Sequence, residues 1–218
     1  MKKRLWQWFK SVGSTVAFVW VFTHGVAQAT VVPSESMTPT ILVGDHFFLD
    51  KVAFPANYPE AVQKYLPVRT ISRGEIVALW SPQNPNTRLI KRIIGLPGET
   101  IEIRDREVYI NGQKLDEPYA VHTDAQTFDR RDNLVPITIP ADQFFLMGDN
   151  RDNSNDSRFW GFAPRSNLIG KPLFIYWSYE DMPYSEEMTL TQWLEHSASV
   201  AAHFFTKTRW LRTGTVLR

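Results

Sequence analysis

Beyond residue 40, apolar and polar positions alternate in short runs and do not recur at a helical interval. Ile41 to Val52, Gly74 to Trp80, Arg88 to Ile94 and Thr100 to Ile110 are rich in β-branched and aromatic residues. Such runs predict strands. Turn chemistry separates them. Leu96-Pro97-Gly98-Glu99 divides two runs, Asp105-Arg106 interrupts the last, and Asn111-Gly112 follows it as a strong hairpin signal. The polar stretch 113–141 carries Pro118, Pro136, Pro140 and a dense Asp/Arg patch at 129–132. It is expected to form a small inserted subdomain. Phe144 to Met147 and Leu173 to Trp177 then resume the strand pattern.

The two ends differ from this middle. Lys2, Lys3, Arg4 and Lys10 precede Ser11–Val32, a stretch of 22 residues without a formal charge. As a helix it would measure ~33 Å, enough for a hydrocarbon core of ~30 Å. The flanking cations would hold the N-terminus in the cytoplasm. Ser14, Thr15, Thr23, His24, Gly25 and Gln28 dilute the span, so three readings stay open. One is a retained anchor. Another is an amphipathic helix lying on the membrane, for which Trp6, Trp8 and Phe9 among cations speak. The third is a cleaved signal peptide ending at Ala27-Gln28-Ala29, a small-x-small pattern. All three place the remaining chain at or across a membrane.

Near the C-terminus, Leu190, Trp193, Leu194, Val200, Ala201, Phe204 and Phe205 recur at near-helical spacing. Lys207, Arg209, Arg212 and Arg218 follow with no acid. The pattern predicts a helix packed on the body with a solvated basic tail, or else a second contact with anionic lipid. The chain is expected to be mainly β, with a helix at each end.

Composition narrows the chemistry. With 218 residues, a net charge of +1 and no cysteine, the chain has no electrostatic footprint for nucleic acid and no thiol nucleophile, disulfide or Cys-ligated metal. Its 43% hydrophobic content and eight tryptophans exclude a disordered chain. There is no HExxH, no G-x-S-x-G elbow and no glycine-rich phosphate loop, and the five histidines are scattered. A calcium loop counted from Asp152 would need Gly at Ser157 and Glu at Ala163. No metal and no cofactor are expected.

Three segments stand out. Pro33-Ser34-Glu35-Ser36-Met37-Thr38-Pro39-Thr40 holds two serines between prolines; turn hydrogen bonds are the ordinary use of such hydroxyls. In Arg88–Gly95, Lys91 sits inside an apolar run, as either a costly buried lysine or an edge-strand gatekeeper. Gly148–Arg158 is acidic and amide-rich, as a solvated turn network would be.

Together with Arg73–Val77, IKRIIGLPGE from Ile90 and MGDNRDNSNDSRFWGFAPRSNLIGK from Met147, these segments stand in an order that resembles the type I signal peptidase (leader peptidase) family. The resemblance implies a membrane-bound serine endopeptidase with a Ser/Lys dyad. Its expected fold is a set of antiparallel β-sheets in a partly open, barrel-like catalytic domain. The expected division is an anchor at 1–32, a catalytic domain at 33–112 and 142–183, the insertion at 113–141, and a C-terminal helix and tail at 184–218. Ser36 is the implied nucleophile and Lys91 its general base. Ser34 and the Ser36 backbone N–H would form the oxyanion hole, and Ser154 would orient the lysine. Asp149, Arg151, Asp156 and Arg158 would support the loop. Val32, Met37, Ile41 and Ile90 would wall the pockets for small side chains.

The implied partners are signal peptides of exported precursors and membrane lipid. The implied place is the bacterial inner membrane, single-pass, with the catalytic domain on the periplasmic side. The chain departs from the family pattern at Glu35, where the family usually has glycine. A specialised maturation peptidase of the same class, or a non-catalytic peptide-binding β-domain, are the alternatives. A self-cleaving repressor would need a DNA-binding region where this N-terminus is apolar.

Overall fold

The computed structural model describes residues 2–54, 58–66, 69–180 and 189–217. Pro55, Pro67, residues 181–188 and Arg218, which fall within segments considered above, lie outside the described residues. In chain order the elements are α1 (Lys2–Val21), β1 (Ala27–Val31), β2 (Asp45–Asp50), α2 (Glu60–Gln63), β3 (Ile76–Trp80), β4 (Arg88–Gly95), β5 (Thr100–Arg104), β6 (Glu107–Ile110) and β7 (Gln113–Lys114). They continue with α3 (Asp129–Asp132), β8 (Leu134–Thr138), β9 (Gln143–Met147), α4 (Ser157–Trp160), β10 (Ala163–Pro164), β11 (Leu168–Ser178) and α5 (Leu190–Lys207).

Seven strands form one sheet in the order β1-β2-β11-β3-β4-β9-β10, and four form another in the order β7-β6-β5-β8. All pairings are antiparallel. Alternation along β3 explains why the large sheet is buried on both faces. Ile76 and Ala78 join one apolar cluster with Phe47, Met37 and Ile175, whereas Val77 and Leu79 join another with Ile93, Phe144 and Leu168. A third cluster, including Ile94, Ile101, Val108 and Phe145, seats the small sheet on the large one.

The hairpin signals act as their chemistry requires. Asp105 and Arg106 have φ of 47° and 74°, and Asn111 and Gly112 have 51° and 80°. Two successive positive φ values match the right-handed twist of the flanking strands. The small sheet joins β5 and β6, from the segment expected in the catalytic domain, to β7 and β8 from the stretch 113–141. The polar stretch cannot close a sheet alone, and Ile101 and Ile103 give β8 its partner. Pro136 is tolerated because β8 is an edge strand.

The N-terminus corrects the expected span. The α-helix stops at Val21, a single π turn covers Phe22–Val26, and Ala27–Val31 pairs with β2 from Ala27↔Asp50 to Val31↔His46. Among the described residues no helix is long and apolar enough to cross a membrane. Ala27-Gln28-Ala29 is thus sheet backbone, and cleavage after Ala29 would remove most of a paired strand. The C-terminal tail also differs from a solvated one. Arg212 reaches the buried Asp45, with Nε 3.0 Å from Oδ1, and Arg209 donates to the carbonyls of Val43 and Tyr179. Leu217 is buried in the Met37 cluster.

Candidate active site

Ser36 lies in one 3-10 turn, Glu35–Met37, just after β1. The side chains of Met37 and Ile41 are fully buried and pin this turn to the core. Asn150 fastens it from the other side, its N–H donating to the Ser36 carbonyl at 3.1 Å and its Nδ2 to the Glu35 carbonyl at 3.3 Å. Lys91 comes from the middle of β4, between β3 and β9, and is 2% exposed. That burial excludes a solvated edge-strand gatekeeper. Its Nζ lies 2.7 Å from Ser36 Oγ, across 55 residues of sequence.

Burial is the main influence on Lys91. It penalises the ammonium form and, with Arg158 acting the same way against Asp156 and Asp149, brings the pKa down from 10.5 to about 8. Ser34 Oγ is 3.4 Å from Ser36 Oγ. Ser154 Oγ is buried, and it makes no hydrogen bond to Lys91. It packs close to the Ser36 turn all the same. A Cβ added at Gly148 would stand 2.4 Å from both Ser154 Oγ and the Ser36 carbonyl oxygen. Glycine at 148 is therefore what lets the loop approach the Ser36 turn so closely.

The loop 148–158 is no solvated turn network. Asp149, Arg151, Asp156 and Arg158 are all buried. Asp156 accepts from Arg158 Nε and Nη2, each at 2.8 Å, and from the Gly148 N–H at 3.0 Å. Burial alone would raise the Asp156 pKa, but the Arg158 guanidinium outweighs it and holds the carboxyl below the usual range. Two partners escaped the sequence reading. Arg92 binds Asp149 through Nε and Nη2 at 2.8 and 2.7 Å, and Glu117 takes both Nη groups of Arg151 at 2.9 and 2.6 Å. Arg92 also lies over the Tyr119 ring, with Cζ 4.0 Å from its centroid. An arginine in an apolar strand was the available signal for the first; nothing marked Glu117.

A groove of about 530 Å³ opens beside Ser36 and Lys91. Thr30–Ser34, Asn86–Ile90, Met37, Leu49 and Ala78 line it besides that pair. Of the four residues expected to wall the substrate pockets, Val32, Met37 and Ile90 line this groove, whereas Ile41 lies in the core cluster and not on the groove surface. Among the described residues, no group of His, Cys, Asp or Glu could hold a metal ion.

The family model described as Signal peptidase, peptidase S26, matches residues 5–177. A signal peptidase I of Leptolyngbya laminosa is 37% identical over 180 residues, 79% of this chain and 80% of that protein. This chain belongs to the S26 signal peptidase family. Signal peptidase I S of Bacillus subtilis (strain 168) is 31% identical over 187 residues, 83% of this chain and 94% of that protein. A crystal structure of a signal peptidase I from Enterococcus faecalis V583 is 34% identical, with a TM-score of 0.41, over 48% of this chain and 98% of that one. The protein is accordingly a serine endopeptidase of the S26 family. The family match covers the Ser36 turn, β4 and the 148–158 loop, and it ends before α5.

Proposed function

We propose that this S26 peptidase removes signal peptides from exported precursors after a small-x-small, Ala-x-Ala junction, with Ser36 as nucleophile and Lys91 as general base. The observation that carries the reading is the 2.7 Å contact between Ser36 Oγ and a lysine whose pKa has fallen to about 8. A serine hydroxyl attacks a carbonyl only when a base takes its proton, and an ordinary lysine is already protonated at neutral pH. Neutral Lys91 accepts the Ser36 proton as Oγ bonds to the scissile carbonyl carbon. The ammonium then gives that proton to the departing amine as the C–N bond breaks. Water, deprotonated by Lys91, hydrolyses the ester and frees Ser36.

Ser34 Oγ and the Ser36 N–H would donate to the oxyanion, each worth roughly 10²–10³ in rate by comparison with such donors elsewhere. Ser154, with a buried hydroxyl on the Asp156 side of the loop, would turn to Lys91 Nζ and orient it. The substrate would bind extended. Residues 88–91 of β4 pair with β3, but pairing with β9 starts only at Arg92, which leaves strand-edge groups facing the groove. Val32, Met37 and Ile90 would then accept small side chains.

Membrane contact is assigned to α1. Trp8, Val12, Val16 and Val19 are exposed and recur at helical spacing on one face. Such a helix lies in the interface of the bacterial cytoplasmic membrane, on whose outer side exported precursors emerge. The test is mass analysis of a secretory precursor after incubation with detergent-purified protein. A new N-terminus directly after the second Ala, absent with Ser36→Ala, is expected; binding without cleavage would favour the peptide-binding alternative.

A further inference from the structure

We propose that Glu35 reads the charge of the first residues after the scissile bond and disfavours acidic ones. This inference rests on the cleavage reaction proposed above. Glu35 stands between Ser34 and Ser36, both of which line the groove, yet it is not part of that lining. Its side chain is exposed and turns to the other side of the nucleophile, where Oε2 accepts from Asn153 Nδ2 at 3.1 Å. The groove holds the small residues before the bond, so the chain beyond it leaves past Glu35 and Asn153.

The Glu35 charge is held there without being neutralised. Asn153 is a neutral donor, and no cation among the described residues forms an ion pair with Glu35. Nor is Glu35 among the groups that shift Lys91, which are Asp156, Arg158 and Asp149 besides burial. Its carboxylate therefore faces the departing chain without an ion-pair partner. The two asparagines divide the work: Asn150 fixes the backbone of the turn and Asn153 the carboxylate.

The test uses three precursors identical except that the first two mature residues are Lys-Lys, Ser-Ser or Asp-Asp. For the wild-type protein, kcat/KM is expected to fall in that order, by about tenfold between the ends, as for unit charges a few ångströms apart in a water-like dielectric around an exposed carboxylate. Glu35→Gln should bring the three within about twofold, and Asn153→Ala, which frees the carboxylate, should give an intermediate spread. Should Glu35→Gln turn over too slowly to measure, the wild-type ratio between ~0.05 and ~0.5 M salt decides, because screening must shrink it. A flat wild-type series, a preference that survives Glu35→Gln, or a ratio insensitive to salt would overturn the proposal while leaving the cleavage reaction intact. No cleavage of any of the three would instead refute the reaction and this inference with it.

Discussion

Arg92 holds Asp149 by two hydrogen bonds, at 2.8 and 2.7 Å, and its neighbour in β4 is Lys91. The pair ties the strand that carries the proposed base to the loop that carries Ser154. Thr40, just after the Ser36 turn, donates to the same carboxylate at 2.5 Å. The Ser36 turn, β4 and the 148–158 loop therefore meet at Asp149.

Both members of this pair are buried, so removing one takes two charge-assisted hydrogen bonds from the other. Arg92→Met or Asp149→Ala is expected to cost about 3–5 kcal/mol, and the double variant less than the sum of the two. Urea unfolding of the purified proteins measures this. Additive losses would mean that the two residues act independently.

Gly148 has a steric role. Gly148→Ala puts a methyl carbon 2.4 Å from a backbone oxygen of Ser36, which has no rotamer by which to escape. The loop or the Ser36 turn must shift, and misplacing the proposed nucleophile is expected to cost about 10²-fold in kcat/KM. Full activity in Gly148→Ala would show that the two segments move apart freely.

Ser154 separates a positioning role from a structural one. Its buried hydroxyl stands by the Asp156 carboxylate and helps hold it charged, so Ser154→Ala gives up at most that one interaction and should leave stability within about 1 kcal/mol of wild type. If the hydroxyl orients Lys91 during turnover, kcat falls roughly 10²-fold with KM little changed. An unaltered kcat would make Ser154 a packing residue.

Lys91 also links stability to pH. Its pKa is about 8 in the folded protein against 10.5 for an unperturbed lysine, so between those values the unfolded chain binds more protons. Stability conferred by this group therefore rises with pH from about 8 to 10.5, by about 3 kcal/mol over the whole range. Lys91→Met, which removes the buried charge, should be more stable than wild type at pH 7 and lose that advantage above about pH 10. A pH-independent difference between the two would mean that Lys91 titrates normally.

The sequence exposes local features and conceals distant ones. Arg88–Ile94 and Gly74–Trp80 are legible as strands because their apolar residues are continuous, and the Asp105-Arg106 and Asn111-Gly112 turns because their backbone demands are chemical. Ser36, Lys91 and the 148–158 loop are legible through their ordered motifs. Arg92–Asp149 and Arg151–Glu117 are not, since their partners lie 57 and 34 residues apart and only the sheet order brings them together. β1 is hidden for a different reason. Ala27–Val31 has the small and β-branched residues that also end an export signal, and only pairing with β2 makes it a strand.

The central claim is that a neutral Lys91 activates Ser36. It is tested most directly by kcat/KM for an Ala-x-Ala precursor across pH 5 to 11, with wild type and with Lys91→Ala and Ser36→Ala controls. The account predicts cleavage by wild type alone, rising with pH through a single limb near 8, as the base loses its proton. A limb near 6.5, as from a histidine, or substantial cleavage by Lys91→Ala, would contradict it.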